Sequence, residues 1–357
     1  MGELFSGPGG MSFGAHLAAS DSNAVSLVHA WANDIDPDAC ATFVNNVPGA
    51  SSQTVQCEDV RNLDIRNLGP IDGLAFGFPC NDFSLVGTST GVDGKFGLLY
   101  KYGVHALDAH RPLWFVAENV SGLRSANDGR AFEMVLEDLE RAGGTGYDLY
   151  PHMYNFDAYG VPQTRKRIII VGIRKDQALR FEVPSPEMFK GENVSVEYAL
   201  TVPPMSDSLP DHARTRHSKA VIERLRHIRP GENAFSADLP GHLRLNVKGA
   251  TISQIYRRLK AELPSYTITG SGGGGTHVYH WSEDRALTNR ERARIQTFPD
   301  SYSFVGNKES VRKQIGMAVP VRGARAIFKA LFDTFAGIAY ESVGANIPCR
   351  TNLERVK

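Results

Sequence analysis

The stretch Ile71-Asp72-Gly73-Leu74-Ala75-Phe76, running into Gly77-Phe78-Pro79-Cys80-Asn81-Asp82-Phe83-Ser84, constrains the chain more than any other. Its first half is a run of small and apolar residues of strand length, the pattern of a strand buried on both faces. Gly-Phe-Pro then stops the strand and leaves Cys80 in the turn. In open α/β sheets, ligands and chemistry collect beyond the carboxyl ends of the strands. A thiol there is placed to act as a nucleophile once its surroundings favour the thiolate. Taken alone, the same cysteine reads equally well as a buried structural residue.

A chain of 357 residues exceeds a single small core, so two domains or one enlarged domain are expected. The 39 Lys and Arg balance the 39 Asp and Glu, so any polyanion must meet a local basic surface. The longest apolar runs are strand-sized, which argues against a membrane span, and no secretion signal opens the chain. The four cysteines, Cys40, Cys57, Cys80 and Cys349, form no C-x-x-C pair. That pattern argues against a disulfide scaffold or structural zinc, predicts no metal site, and fits a reducing cytoplasm.

Along the chain, Leu4-Phe5-Ser6-Gly7-Pro8-Gly9-Gly10 reads as a strand end, a glycine-rich turn and a helix start. Glycines admit close backbone approach, and a helix N-terminus offers free N–H groups. A second strand is expected over Val25–Trp31, with Asp34 at its tip, where a ribose would be held or a helix capped. Val55–Val60 reads as a third strand, with Asp59 at its acidic end. Residues 81–97, rich in Gly, Ser and Thr, form a candidate lid or a passive connector. A helix is expected from Leu98 to Ala109, followed by the strand Leu113–Ala117 ending in Glu118-Asn119-Val120. The apolar neighbours of Glu118 suit a carboxyl that donates a proton; a salt-bridged strand end is the alternative. Arg130–Arg141 reads as an amphipathic helix, and Tyr147–Phe156 and Arg167–Arg174 as paired strands. Gln163, Arg165 and Arg167 would share one face of an extended segment. Residues 212–229 carry six Lys or Arg against one Glu, which suits phosphate contacts or a solvated helix face. Leu287–Phe298 reads as a helix capped by Thr288 or Asn289, and the segment from Val321 to Phe335 as a last helix with one apolar face.

Together these segments resemble the DNA cytosine-5 methyltransferase family over most of the chain. Phe5-Ser6-Gly7-Pro8-Gly9-Gly10 resembles its S-adenosylmethionine motif, and Pro79-Cys80 its nucleophile motif. Glu118-Asn119-Val120 and Gln163-x-Arg165-x-Arg167 match two further motifs. Arg285–Thr288 through Phe298-Pro299-Asp300 resembles the block after the recognition domain, and Gln314–Pro320 the last motif. Three positions depart from the pattern. Asn81 stands where glutamine is usual, Ile35 where tryptophan often lies against adenine, and Met317 where asparagine is usual.

The resemblance implies a Rossmann-like α/β domain with a mostly parallel sheet, formed by residues 1–185 and 284–340. Residues 186–283 would be a smaller, irregular or β-rich target-recognition domain, and 341–357 a tail. It implies catalytic roles for Cys80, Glu118 and Arg165. Phe5, Ser6, Gly7, Gly9, Gly10, Asp34, Ile35, Asp59, Val60 and Pro79 would hold S-adenosyl-L-methionine. Asn81, Ser84, Asn119, Val120, Gln163 and Arg167 would meet the DNA. Cys80 would add to carbon 6 of a cytosine flipped out of the stack, and Glu118 would hold its nitrogen edge. The expected setting is a bacterial, cytoplasmic monomer acting on double-stranded DNA beside a restriction endonuclease. Competing readings are an RNA cytosine methyltransferase of the same fold and a non-catalytic binding relic. A dinucleotide oxidoreductase would explain the glycines and Asp34, but not Cys80 with Glu118.

Overall fold

The computed structural model describes residues 1–22, 24–78, 98–245, 254–270, 272 and 274–349. Pro79, Cys80, Asn81, Ser84 and the expected lid of residues 81–97 therefore lie outside the described residues.

A seven-stranded sheet organises the large part of the molecule. Its strands are β1 (Gly2–Leu4), β2 (Trp31–Asp34), β3 (Val55–Cys57), β4 (Gly73–Gly77), β5 (Trp114–Val120), β6 (Tyr147–Asn155) and β8 (Lys166–Arg174). They stand in the order β3-β2-β1-β4-β5-β8-β6. The first five run parallel, and β8 is antiparallel to both β5 and β6. The strand order reverses at β1 and β4, so the crevice of an open sheet falls beyond their carboxyl ends.

Helices cover both faces, which is why the strands read as continuous apolar runs. Phe115, Ile168 and Ile170 point to a cluster with Leu107 and Leu139, from α3 (Tyr100–His110) and α4 (Arg130–Arg141). Trp114, Val116, Ile169 and Val171 point the other way, to Ala15 of α1 (Gly10–Ser20) and Phe328 and Leu331 of α9 (Val321–Ala336). The second strand begins later than expected. β1 pairs Gly2 with Trp31, so residues 25–30 fall before the ladder, tied by Ala30 N–H to the Met1 carbonyl. Its carboxyl end then feeds α2 (Pro37–Asn46), capped by the Asp36 side chain.

The described part of residues 186–283 is mostly irregular, with α5 (Val196–Thr201), α6 (Lys219–Arg226) and the two-residue β10 (Ser265–Tyr266). β10 pairs in parallel with β7 (Gln163–Thr164), and β9 (Val183–Pro184) pairs with β11 (Ser342–Val343). One small core gathers Leu225, Ile228, Leu239 and Tyr279; another gathers Val196, Leu259 and Ile268 with Leu287 and Ile295. The helix expected near Leu287 is α7 (Asn289–Ile295), with Thr288 and Glu291 in a reciprocal capping box. α8 (Lys308–Met317), capped by Asn307, is a helix that sequence periodicity did not announce. Its buried Val311 and Ile315 are too few to stand out among polar neighbours.

Candidate active site

The carboxyl end of β1 enters a turn in which Phe5, Gly7 and Gly9 all have positive φ (54°, 53° and 93°). Gly9 N-caps α1 in this left-handed conformation, which a side chain would strain. Ser6 N–H donates to the Asn33 carbonyl at 3.0 Å. Gly7 N–H donates to Asp34 Oδ2 at 2.8 Å, and Asp36 N–H to Asp34 Oδ1 at 2.9 Å. The Asp34 carboxylate thus ties the turn to the tip of β2. Burial raises its pKa, while the two N–H donors oppose the rise. Among the described residues, the Ser6 hydroxyl is buried without a hydrogen-bond partner. Ile35 is 65% exposed at the same edge. Beyond β3, Asp59 receives Arg61 Nε at 2.9 Å and Val60 is buried.

The second half of the site lies at the ends of β4 and β5. The register sets Gly77 opposite Glu118. A Cβ on Gly77 would stand 3.3 Å from Glu118 Oε2, so the carboxylate overlies the strand that leads to Cys80. Asn119, buried beside it, donates from Nδ2 to the Phe78 carbonyl at 3.1 Å and accepts Val120 N–H at 2.8 Å. It fixes the last described residue before Pro79. Arg167 Nε sits 2.9 Å from Glu118 Oε1, and both side chains are largely buried.

Gln163, Arg165 and Arg167 meet different partners. β7 pairs with β10, whereas β8 pairs with β5 and β6, so the ladder partner changes at Arg165. Gln163 Nε2 donates to Gln296 Oε1 at 2.8 Å, and its Oε1 accepts Ile268 N–H at 2.7 Å. Arg165 donates to the carbonyls of Ile268 and Gly316, at 2.9 and 3.2 Å. These two buried residues bolt residues 265–268 to α7 and α8, and Arg167 alone of the three pairs with Glu118. Sequence reasoning missed Gln296, whose Nε2 donates to the Ile315 carbonyl at 2.7 Å and completes the bolt. No periodicity or composition marks it. Met317 is 60% exposed, against Gly270.

A Rossmann-like sheet with an antiparallel β8, carrying a glycine turn at β1 and an acidic tip at β2, defines an α/β methyltransferase fold. The same fold appears in a solved DNA modification methyltransferase encoded within an Escherichia coli prophage, with a TM-score of 0.69 and 25% identity over 94% of this chain and 98% of that one. The chain belongs to the C-5 cytosine-specific DNA methylase family, whose model matches residues 1–333. It is 54% identical to the type II methyltransferase M.BbvI of Brevibacillus brevis, over 96% of this chain and 93% of that protein. It is 37% identical to M.NgoFVII of Neisseria gonorrhoeae, over 95% and 88%. Its enzyme class is accordingly DNA (cytosine-5-)-methyltransferase. No helix among the described residues is long and apolar enough to cross a membrane.

Proposed function

We propose that this protein transfers a methyl group from S-adenosyl-L-methionine to carbon 5 of a flipped-out cytosine in double-stranded DNA, as the modification enzyme of a restriction-modification system. The observation that carries the reading is the Glu118 carboxylate, paired with Arg167 and set over Gly77, which precedes Cys80 by three residues. The residues at the β1 and β2 ends fit the cofactor. Among the described residues the Ser6 hydroxyl has no partner and the space beside Gly7 is open, which leaves room for polar contact at the turn. Exposed Ile35 offers an apolar face for a nucleobase, with Asp34 for ribose hydroxyls. When bound, the cofactor supplies an electrophilic methyl group.

The chain's own residues supply the rest. The Cys80 thiolate adds to carbon 6, and the electron pair released into the ring makes carbon 5 nucleophilic. Glu118 holds ring nitrogen 3 and the exocyclic amine, stabilising a proton where charge develops. Arg167 orients that carboxylate. Removal of the carbon-5 proton returns electrons to the ring and expels Cys80 as thiolate. Arg165 and Gln163 act from behind, holding residues 265–268 against α7 and α8. Residues 186–283, with their two small cores, would read the DNA sequence, and 1–185 with 284–340 would carry the chemistry. A monomer bound to DNA in a bacterial cytoplasm, with an endonuclease that shares its target site, completes the reading. Cys80→Ser tests it: methyl transfer to duplex DNA is lost while cofactor affinity is kept. Unchanged turnover in that variant would refute the mechanism.

A further inference from the structure

Among the described residues, six arginines are buried around the junction of α7, α8 and residues 256–270 and 274–285, and five of them hold close acceptors. Arg165 reaches two carbonyls. Arg258 reaches Asp284 and several carbonyls, and Arg285 grips Glu283 and Glu291. Arg290 donates to three carbonyls, and Arg294 pairs with Asp300. Arg292 differs. It is 2% exposed, yet among the described residues its one hydrogen-bond contact is Nη2 to His277 Nδ1, at 3.5 Å. A guanidinium carries five N–H donors, and a contact that long satisfies little.

Its surroundings deepen the imbalance. Arg312 and Lys308, one turn apart on α8, and His277 lie close enough to influence one another's charge. Among the described residues, Arg312 Nε is buried without a hydrogen-bond partner, and a Cβ on Gly272 would stand 3.2 Å from it. The carboxylate nearest Arg312 is the exposed Glu309, at 3.7 Å. Glu291, the acid beside Arg292, is already held by Arg285 and by Thr288 N–H. Burial and Arg312 both oppose the Arg292 charge and bring its pKa down to about 10, still cationic at neutral pH. A buried, uncompensated cation is costly unless something negative arrives to meet it.

We propose that Arg292 and Arg312, with Lys308 at the rim, form an oxyanion site that takes a backbone phosphate of the DNA substrate. The proposal rests on the reading of the chain as a DNA methyltransferase. Position supports a phosphate on the substrate. Arg312 lies one turn from Gly316 on α8, and the Gly316 carbonyl accepts from Arg165, so α8 joins this cluster to the strand that bears Arg167 and faces Glu118. A guanidinium pair suits a tetrahedral oxyanion by forked donation.

The test is duplex DNA affinity of the full-length protein across about 50 to 200 mM salt, with thermal unfolding of the DNA-free protein alongside. The proteins are wild type, Arg312→Gln and Arg292→Met, with surface Arg325→Gln as control. Arg312→Gln is expected to reduce the slope of log affinity against log salt by about one and to weaken binding several-fold at low salt. Arg292→Met should reduce the slope likewise while leaving the melting temperature unchanged or raised, since it removes an unpaired buried charge. A merely structural Arg292 would instead lower the melting temperature and leave the slope alone. Slopes equal to wild type in both variants overturn the proposal. So does protection by about 10 mM inorganic phosphate in wild type but not in the variants, with DNA slopes unchanged, because the anion would then be a free one. Wild-type methylation of DNA is assayed in parallel. Its absence defeats the functional reading, whereas active wild type with unchanged slopes defeats only the phosphate site.

Discussion

Glu118 is held by two neighbours of different kinds. Arg167 fixes Oε1, while Oε2 faces Gly77, so the carboxylate keeps one oxygen toward the strand that leads to Cys80. Glu118→Gln keeps the shape but loses the acceptor pair, and kcat should fall by roughly 10²–10⁴ with cofactor affinity little changed. Steady-state methylation set against cofactor binding by calorimetry checks this. A second carboxyl has a different fate. Glu3, in the middle of β1, is 1% exposed and accepts a hydrogen bond from the Ser12 hydroxyl. Burial, aided by nearby Asp34, raises its pKa from 4.5 to about 8 despite that bond. The folded value lies above the unfolded one, so the stability Glu3 contributes is full below about pH 4.5 and is lost as pH rises toward 8. Glu3→Gln keeps the Ser12 bond without the ionisable proton. Its melting temperature relative to wild type should therefore rise by several degrees between pH 5 and pH 8. A constant difference across that range, measured by scanning calorimetry, would contradict the assignment.

At the scale of elements, the junction of α7, α8 and residues 265–270 depends on close approach. A Cβ on Gly316 would lie 2.1 Å from Gly270 N and from Thr269 C, both backbone atoms that cannot step aside. Gly316→Ala should separate α8 from that segment, strain the Arg165 bond to the Gly316 carbonyl, and cost about 2 kcal/mol or more. Denaturant unfolding reads the loss, and Thr288→Ala, which removes only the capping box of α7, should cost about 1 kcal/mol. Helices with strong signals were legible in the sequence. Arg130–Arg141 matches α4, and the Thr288 cap opens α7, because periodicity and capping are local properties. The second strand shifted because its start is set by pairing with Gly2, a distant partner. α8 was invisible because its environment, not its pattern, makes it a helix. The candidate site was legible as residue types, since the glycine turn, Asp34 and Glu118 carry their chemistry in the sequence. The division of labour between Arg165 and Arg167 was not, because it follows from the exchange of ladder partners between β7 and β8. Nor was Arg292, whose meaning lies in how few partners it has among the described residues.

Over the whole molecule, the sheet brings two halves of a reaction to one edge. The turn after β1 and the tip of β2 form one half; the ends of β4 and β5, with Arg167, form the other. Residues 265–270, pinned by Gln163, Arg165 and Gln296, connect that edge to the region proposed to read DNA. The central claim is a covalent Cys80 adduct on cytosine carbon 6. Duplex DNA with 5-fluorocytosine at the target position tests it most directly, because fluorine at carbon 5 cannot leave as a proton and so blocks release of the cysteine. Incubated with S-adenosyl-L-methionine and resolved under denaturing conditions, wild type should give a stable protein–DNA complex and Cys80→Ser none. No complex with wild type on DNA it methylates, or an equal complex with Cys80→Ser, would contradict the account.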